Sequence, residues 1–292
     1  MRMKLDLGQC EPSLLSLPDR VVEALLQGSQ NLSPDRIMLV GAHCRDVIHS
    51  ALGHVDGLAL TSDLDIGLVI SDLGDYEEIV RPLNPSGSTG IRYMLGGVPT
   101  DLMPFGDVED PVGVVTPHAR DESLSVWAFR EVFEGSMPLV LPSGVEIRIP
   151  AVEGYAALKL AAWLDRHAYG EFKDARDLAT CVYWYAESGE VASLLYETPV
   201  GNQVLTKFDL DVRQAAAHIL GGDIATHIGQ QRVDELISRW PGSRDNLVAE
   251  LILDSGVAAW PSGTAQREEI LVALESGWRP AYPPEPVDTD KR

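Results

Sequence analysis

Two aspartates separated by one residue open the most informative stretch of the chain, Thr61-Ser-Asp63-Leu-Asp65-Ile-Gly-Leu-Val-Ile70. Side chains alternate across an extended strand, so Asp63 and Asp65 are expected on one face. Like charges at that spacing repel unless a cation lies between them. Magnesium suits such hard oxygen donors, because it is typically held by one or two carboxylates together with substrate phosphates. A third acid, Asp101, begins a second apolar run, Pro99-Thr-Asp101-Leu-Met-Pro-Phe105. Three carboxylates on neighbouring strands suit two metal ions that clamp the attacking and leaving oxygens of a phosphoryl transfer. The expected metal ligands and catalytic acids are therefore Asp63, Asp65 and Asp101, with two Mg2+ ions. Unscreened repulsion among the three further predicts that Asp63→Asn leaves metal-free stability unchanged or raises it.

An isolated D-x-D is more often a pair of loop acids or helix caps. Aspartyl phosphatases and metal-dependent glycosyltransferases also carry one, usually at the end of an apolar strand. Here the residues ahead of the pair are only partly apolar and the apolar run follows it, which places the acids at the beginning of the strand. A second feature is Leu39-Val40-Gly41-Ala42-His43, a strand running through glycine into a helix. Backbone N–H groups at such a helix start form a phosphate cradle, which makes Gly41 and Ala42 candidate nucleotide contacts. No P-loop, no G-x-G-x-x-G, no G-x-S-x-G and no H-E-x-x-H occurs, so P-loop, dinucleotide, nucleophile-elbow and zinc-peptidase chemistries are not indicated.

The elements that must hold these residues follow from periodicity. Apolar positions from Ser13 to Gln30 predict a helix whose regular part begins at Pro18. Arg36–Gly41 predicts a buried strand, Ala42–Leu52 a helix, Asp63–Ser71 a strand and Asp72–Val80 a helix ended by Pro82. Ile91–Leu95 and Val98–Phe105 meet at Gly96-Gly97, a hairpin signal. A short helix near Trp127–Glu134 and strands at Pro138–Leu141 and Val145–Ile149 come next. From Ala151 the pattern turns helical, with Glu153–Arg166 and Lys173–Ser188 the strongest stretches. The expected organisation is α+β: a mixed sheet with flanking helices in residues 1–150, an all-helical domain in 151–276 and a disordered proline-rich tail in 277–292.

The chain of 292 residues has 45% hydrophobic content, enough for a substantial core. No apolar run reaches the ~18 residues of a membrane helix, and no signal-peptide core follows the first charges. Three widely spaced cysteines form neither a disulfide framework nor a zinc spacing, which points to a reducing cytoplasm. With 23 basic against 44 acidic residues the formal charge is −21, which argues against a protein that coats nucleic acid. A local basic groove built from Arg92, Lys159, Arg166, Lys173 and Arg176 would still admit RNA.

Gly41-Ala42, Asp63-Leu-Asp65 at a strand start and Asp101 in a later strand together resemble the polymerase-β-type nucleotidyltransferases. Their signature is G-[GS], a variable helix, D-x-[DE] and a third acid. Ala157-Leu-Lys159-Leu-Ala-Ala-Trp-Leu-Asp165-Arg166, followed by Lys173-Asp174-Ala-Arg176-Asp177-Leu178, is similar to the AbiEii/AbiGii-like branch, the toxin-type enzymes of bacterial abortive-infection and toxin–antitoxin systems. The resemblance covers roughly residues 36 to 185. It implies a nucleotidyltransferase fold. Asp63 and Asp65 then act as metal ligands, Asp101 as a third ligand or as the base for the incoming hydroxyl, and Lys159 as a phosphate-binding lysine. Lys173, Asp174 and Asp177 match a K-D-x-x-D element assigned to nucleotide binding. Two departures stand out: Ala42 occupies a position usually held by serine or glycine, and the gap from Gly41 to Asp63 is long.

The function these expectations describe is magnesium-dependent transfer of a nucleoside monophosphate from an NTP to a hydroxyl acceptor, with release of pyrophosphate. RNA ends, protein side chains and small molecules such as aminoglycosides all remain open as acceptors, and a cognate antitoxin is an expected partner. The alternative is a non-catalytic module of the same fold that binds a nucleotide or a partner.

Overall fold

The structure, a computed structural model, describes residues 3–29, 32–54, 61–120, 122–171, 173–253 and 260–279. Residues 280–292, most of the expected disordered tail, lie outside that set, as do 57–60 just ahead of the D-x-D pair.

The chain is α+β. Its main sheet has seven strands: β1 (Ile37–Val40), β2 (Leu64–Ile70), β3 (Asn84–Pro85), β4 (Arg92–Leu95), β5 (Val98–Gly106), and two more that follow a small separate pair, β6 (Val114–Val115) with β7 (Leu124–Ser125). Those two are β8 (Met137–Val140) and β9 (Glu146–Ile149), and the order across the sheet is β3-β4-β5-β2-β1-β9-β8. The sheet is mixed: β1 runs antiparallel to β2 and parallel to β9, while β2 runs parallel to β5. Central position explains the composition of β1, whose residues Ile37, Met38, Leu39 and Val40 are all buried. The parallel β2–β5 pairing needs a long crossover, and α3 (Leu73–Val80) with the β3–β4 ribbon supplies it.

Helices α1 (Ser16–Gly28) and α2 (Gly41–Ala51) precede and follow β1, and α4 (Phe129–Glu134) precedes β8. The first of these starts two residues ahead of Pro18, after a 3-10 turn at Pro12–Leu15. Proline is tolerated there because the first-turn N–H groups of a helix have no internal partner.

After β9 the chain is helical: α5 (Val152–Arg166), α6 (Lys173–Glu187), α7 (Gly189–Glu197), α8 (Pro199–Lys207), α9 (Val212–Arg239), α10 (Asp245–Glu250) and α11 (Thr264–Trp278). Long α9 packs against α5, α6 and α11. Buried apolar side chains of the sheet and of these helices form one continuous cluster, from Ile37 and Leu64 to Trp163, Tyr185 and Leu274. Trp184 of α6 donates its indole N–H to Nδ1 of His49 in α2 at 2.9 Å, so the helical part is fastened directly to the helix that opens at Gly41. No helix among the described residues is long and apolar enough to cross a membrane.

Candidate functional site

The sheet register places the three acids. Asp65 pairs with Val40 on one side and with Asp101 on the other, and Asp101 in turn pairs with Arg92. Directly opposed residues share a face, so Arg92, Asp101 and Asp65 form a row across β4, β5 and β2. Asp63 lies one residue ahead of β2 and reaches the same row, with its Oδ2 accepting from Arg92 Nη2 at 2.9 Å. Arg92 also grips Asp101 with two prongs: Nε donates to Oδ1 at 2.8 Å and Nη2 to Oδ2 at 2.8 Å. The fourth oxygen of the two acids, Asp63 Oδ1, accepts from the Thr61 hydroxyl at 2.5 Å.

Asp65 lies at the other end of the row, against the start of α2. Gly41 has φ +69°, and a Cβ built on it would come within 1.9 Å of Asp65 Oδ2. Only glycine both adopts that backbone angle easily and leaves room for the carboxylate. Burial pushes the Asp65 carboxyl up to about 6, and the Asp101 and Asp63 charges push the same way, while Lys159 and Lys173 oppose them. Asp63 moves the other way: the Thr61 hydroxyl and the Arg92 guanidinium hold it below its usual range. Burial lowers the pKa of His43, on the first turn of α2, against the opposing Asp46 and Asp63 charges; its Nδ1 is buried and meets no hydrogen-bond partner among the described residues. No side chain caps α2, and Ala42 is half-buried in its first turn.

Lys159 sits in a different arrangement. Its ammonium contacts Asp177 Oδ2 at 2.5 Å and Asp174 Oδ1 at 3.2 Å, and lies 5.4 Å from the centre of the Tyr155 ring. Arg166 takes the second oxygen of Asp174 at 3.1 Å, and Arg45 of α2 takes the second oxygen of Asp177 at 3.0 Å. Arg45 also pairs with Asp46 at 2.8 Å. Burial works against the Lys159 charge, but Asp177 and Asp174 outweigh it and hold its pKa above normal. Asp177 is likewise depressed, Lys159 and Arg45 together overcoming its burial. These distances tie Lys159 to carboxylates of α6. Lys173 is exposed, and both oxygens of Asp177 go to Lys159 and Arg45, so the i,i+4 pairing open to Lys173 and Asp177 is not made.

Among the described residues, no three His, Cys, Asp or Glu side chains converge on a point that would hold an ion. At the acids, Arg92 and Thr61 donate hydrogen bonds to every oxygen of Asp63 and Asp101. The chemistry of the donor set nevertheless fits a magnesium ion: hard carboxylate oxygens on one face of the sheet. Sequence reasoning named Arg92 only as a groove residue and missed its clamp. The hairpin register carried the signal, because the two-residue turn at Gly96-Gly97 puts Arg92 opposite Asp101. Arg45, on the second turn of α2, is buried and bonded to Asp177.

Comparison with known proteins finds no matching family model and no match among curated sequences.

Proposed function

We propose that the chain is a nucleotidyltransferase of the polymerase-β type, of the toxin-like branch, moving a nucleoside monophosphate from an NTP to a hydroxyl group in the cytoplasm. The observation that carries this reading is the register Arg92–Asp101–Asp65–Val40, which sets two carboxylates side by side on parallel strands next to the glycine that opens α2. Asp63, Asp65 and Asp101 would hold magnesium, which when bound neutralises the charge that develops on the phosphates. The acceptor hydroxyl attacks the α-phosphorus, the bond to the β-phosphate oxygen breaks, and pyrophosphate leaves. Asp101, the third acid of the row, takes the hydroxyl proton on this reading. Backbone N–H groups of Gly41 and Ala42 face the triphosphate at the uncapped start of α2. Exposed Lys173, whose charge reaches both Asp63 and Asp65, supplies the mobile cation for the phosphates, while Lys159 orients Asp177 and Asp174.

The acceptor on this reading is a small molecule or a protein side chain. Of the five cations that would build an RNA groove, Arg92, Lys159, Arg166 and Arg176 are each paired with carboxylates. Phosphates gain little from cations already neutralised. The Arg92 clamp also favours the second reading, a binding module without turnover that engages a nucleotide or a partner such as an antitoxin. One experiment separates the two. The protein is incubated with Mg2+ and each α-labelled NTP in the presence of cellular RNA, cellular protein and hydroxyl-bearing aminoglycosides. Label transfer that disappears in Asp65→Asn supports the enzyme. Nucleotide binding without transfer to any acceptor leaves the nucleotide-binding module, and absence of nucleotide binding removes the enzyme and leaves only a module that engages a partner.

A further inference from the structure

The guanidinium of Arg92 occupies the place that a divalent ion needs. It covers three of the four oxygens of Asp63 and Asp101 at 2.8–2.9 Å, and Thr61 covers the fourth. Magnesium binds oxygens at about 2.0–2.1 Å, and the guanidinium stands where an ion bridging Asp63 and Asp101 would lie. Exposure indicates which of the two cationic groups near the acids can move. The Arg92 side chain is 30% exposed and its Asp63 partner 37%, whereas Lys159 is 13% exposed against an Asp174 that is fully buried. Arg92 therefore has a path into solvent by side-chain rotation alone, with its backbone fixed in the β4–β5 hairpin.

We propose that Arg92 is a tethered cation that competes with divalent ions for Asp63 and Asp101, so that an ion binds only when the guanidinium swings away. The proposal rests on the reading of these acids as metal ligands, and it adds that the free protein carries its own substitute for the metal. Arg92 holds Asp63 and Asp101 together without an ion, and it sets the ion concentration at which the site fills.

Mn2+ alone is a direct probe, because its free form is counted by electron paramagnetic resonance without any turnover. Arg92→Gln removes the competitor and is expected to bind Mn2+ about tenfold more tightly than the wild type, the factor expected when charge-assisted hydrogen bonds no longer have to be broken. Adding Asp65→Asn to Arg92→Gln is expected to abolish the gain. Equal Mn2+ affinity in wild type and Arg92→Gln, both sensitive to Asp65→Asn, overturns the competition and keeps the metal site. No Asp65-dependent binding in either protein overturns both. Should Arg92→Gln misfold, the wild type answers by NMR: titration with Mg2+ is expected to shift the Arg92 Nε–H signal, assigned by its loss in Arg92→Lys, and to speed its exchange with water. A signal unmoved at saturating Mg2+ overturns the proposal.

Discussion

Two ionic clusters meet α2, and they are built on opposite principles. On the row across β4, β5 and β2, Asp63, Asp65 and Asp101 face one guanidinium in contact, Arg92, an excess of two negative charges in a partly exposed setting. Between α2, α5 and α6, the cations Arg45, Lys159 and Arg166 meet Asp46, Asp174 and Asp177, three against three, with Asp174 fully buried. A balanced, enclosed set satisfies itself and fixes how helices dock. An unbalanced set beside an uncapped helix start leaves a demand for positive charge that a ligand can meet. The difference separates the structural acids of the K-D-x-x-D element from the acids suited to chemistry, which sequence motifs alone group together.

The strongest test of that contrast is Lys159→Met. Removing one member of a buried network typically costs ~3–5 kcal/mol, and Arg45 and Arg166 remain to soften the loss, so about 3 kcal/mol is expected in urea unfolding. Asp177→Asn in the same background is expected to recover part of it, because the two changes act on one contact. A loss under about 1 kcal/mol together with weakened nucleotide binding would return Lys159 to a phosphate-binding role and end the contrast.

Much of the acidic row was legible in the sequence because it is local. The run from Arg36 to Gly41, the D-x-D at the head of β2 and the glycine turn each carry their own period and punctuation, and the hairpin register follows from them. The balanced cluster was not legible. Arg45 and Asp177 are 132 residues apart, and no periodicity states which faces of α2 and α6 meet. The K-D-x-x-D spacing shows that Asp174 and Asp177 share a helix face, but not that Arg45 and Lys159 will be waiting there. Nor does spacing reveal that Asp65 lies under Gly41, because that contact is a close approach between strand and helix rather than a pattern.

Within the acidic row the structure distinguishes members that the sequence treated alike, and Asp65→Asn tests this first. Its folded carboxyl, at about 6, lies above the ordinary aspartate value of about 3.9, so the folded state holds a proton that the unfolded chain releases. Below about pH 4 both states are protonated and Asp65 carries no penalty. The penalty grows as the pH rises towards 6 and is constant above it. In metal-free buffer Asp65→Asn is expected to stabilise the protein by on the order of 2 kcal/mol at pH 7.5, an advantage that vanishes at pH 4. Thermal melts at the two pH values in EDTA give the answer, and an equal difference at both would mean that packing rather than charge sets the effect.

The smallest effect belongs to Asp63→Asn, and its sign matters more than its size. Repulsion among three acids predicts a neutral or stabilising change, but the structure gives Asp63 a hydroxyl and a guanidinium that hold its carboxyl below the ordinary value. A depressed carboxylate contributes stability above its unfolded pKa and loses it as the pH falls through the folded one. With its side chain 37% exposed, solvent screens most of that contribution, so a loss of no more than about 1 kcal/mol is expected at pH 7.5. The loss should shrink in 0.5 M salt, where the Debye length falls to roughly 4 Å, and fade as the pH falls through the depressed folded pKa. Melts of Asp63→Asn and Asp65→Asn side by side in EDTA should therefore move in opposite directions at pH 7.5. If Asp63→Asn instead stabilises as much as Asp65→Asn, the acids act as one repelling set, and Arg92 does not neutralise the two that it touches.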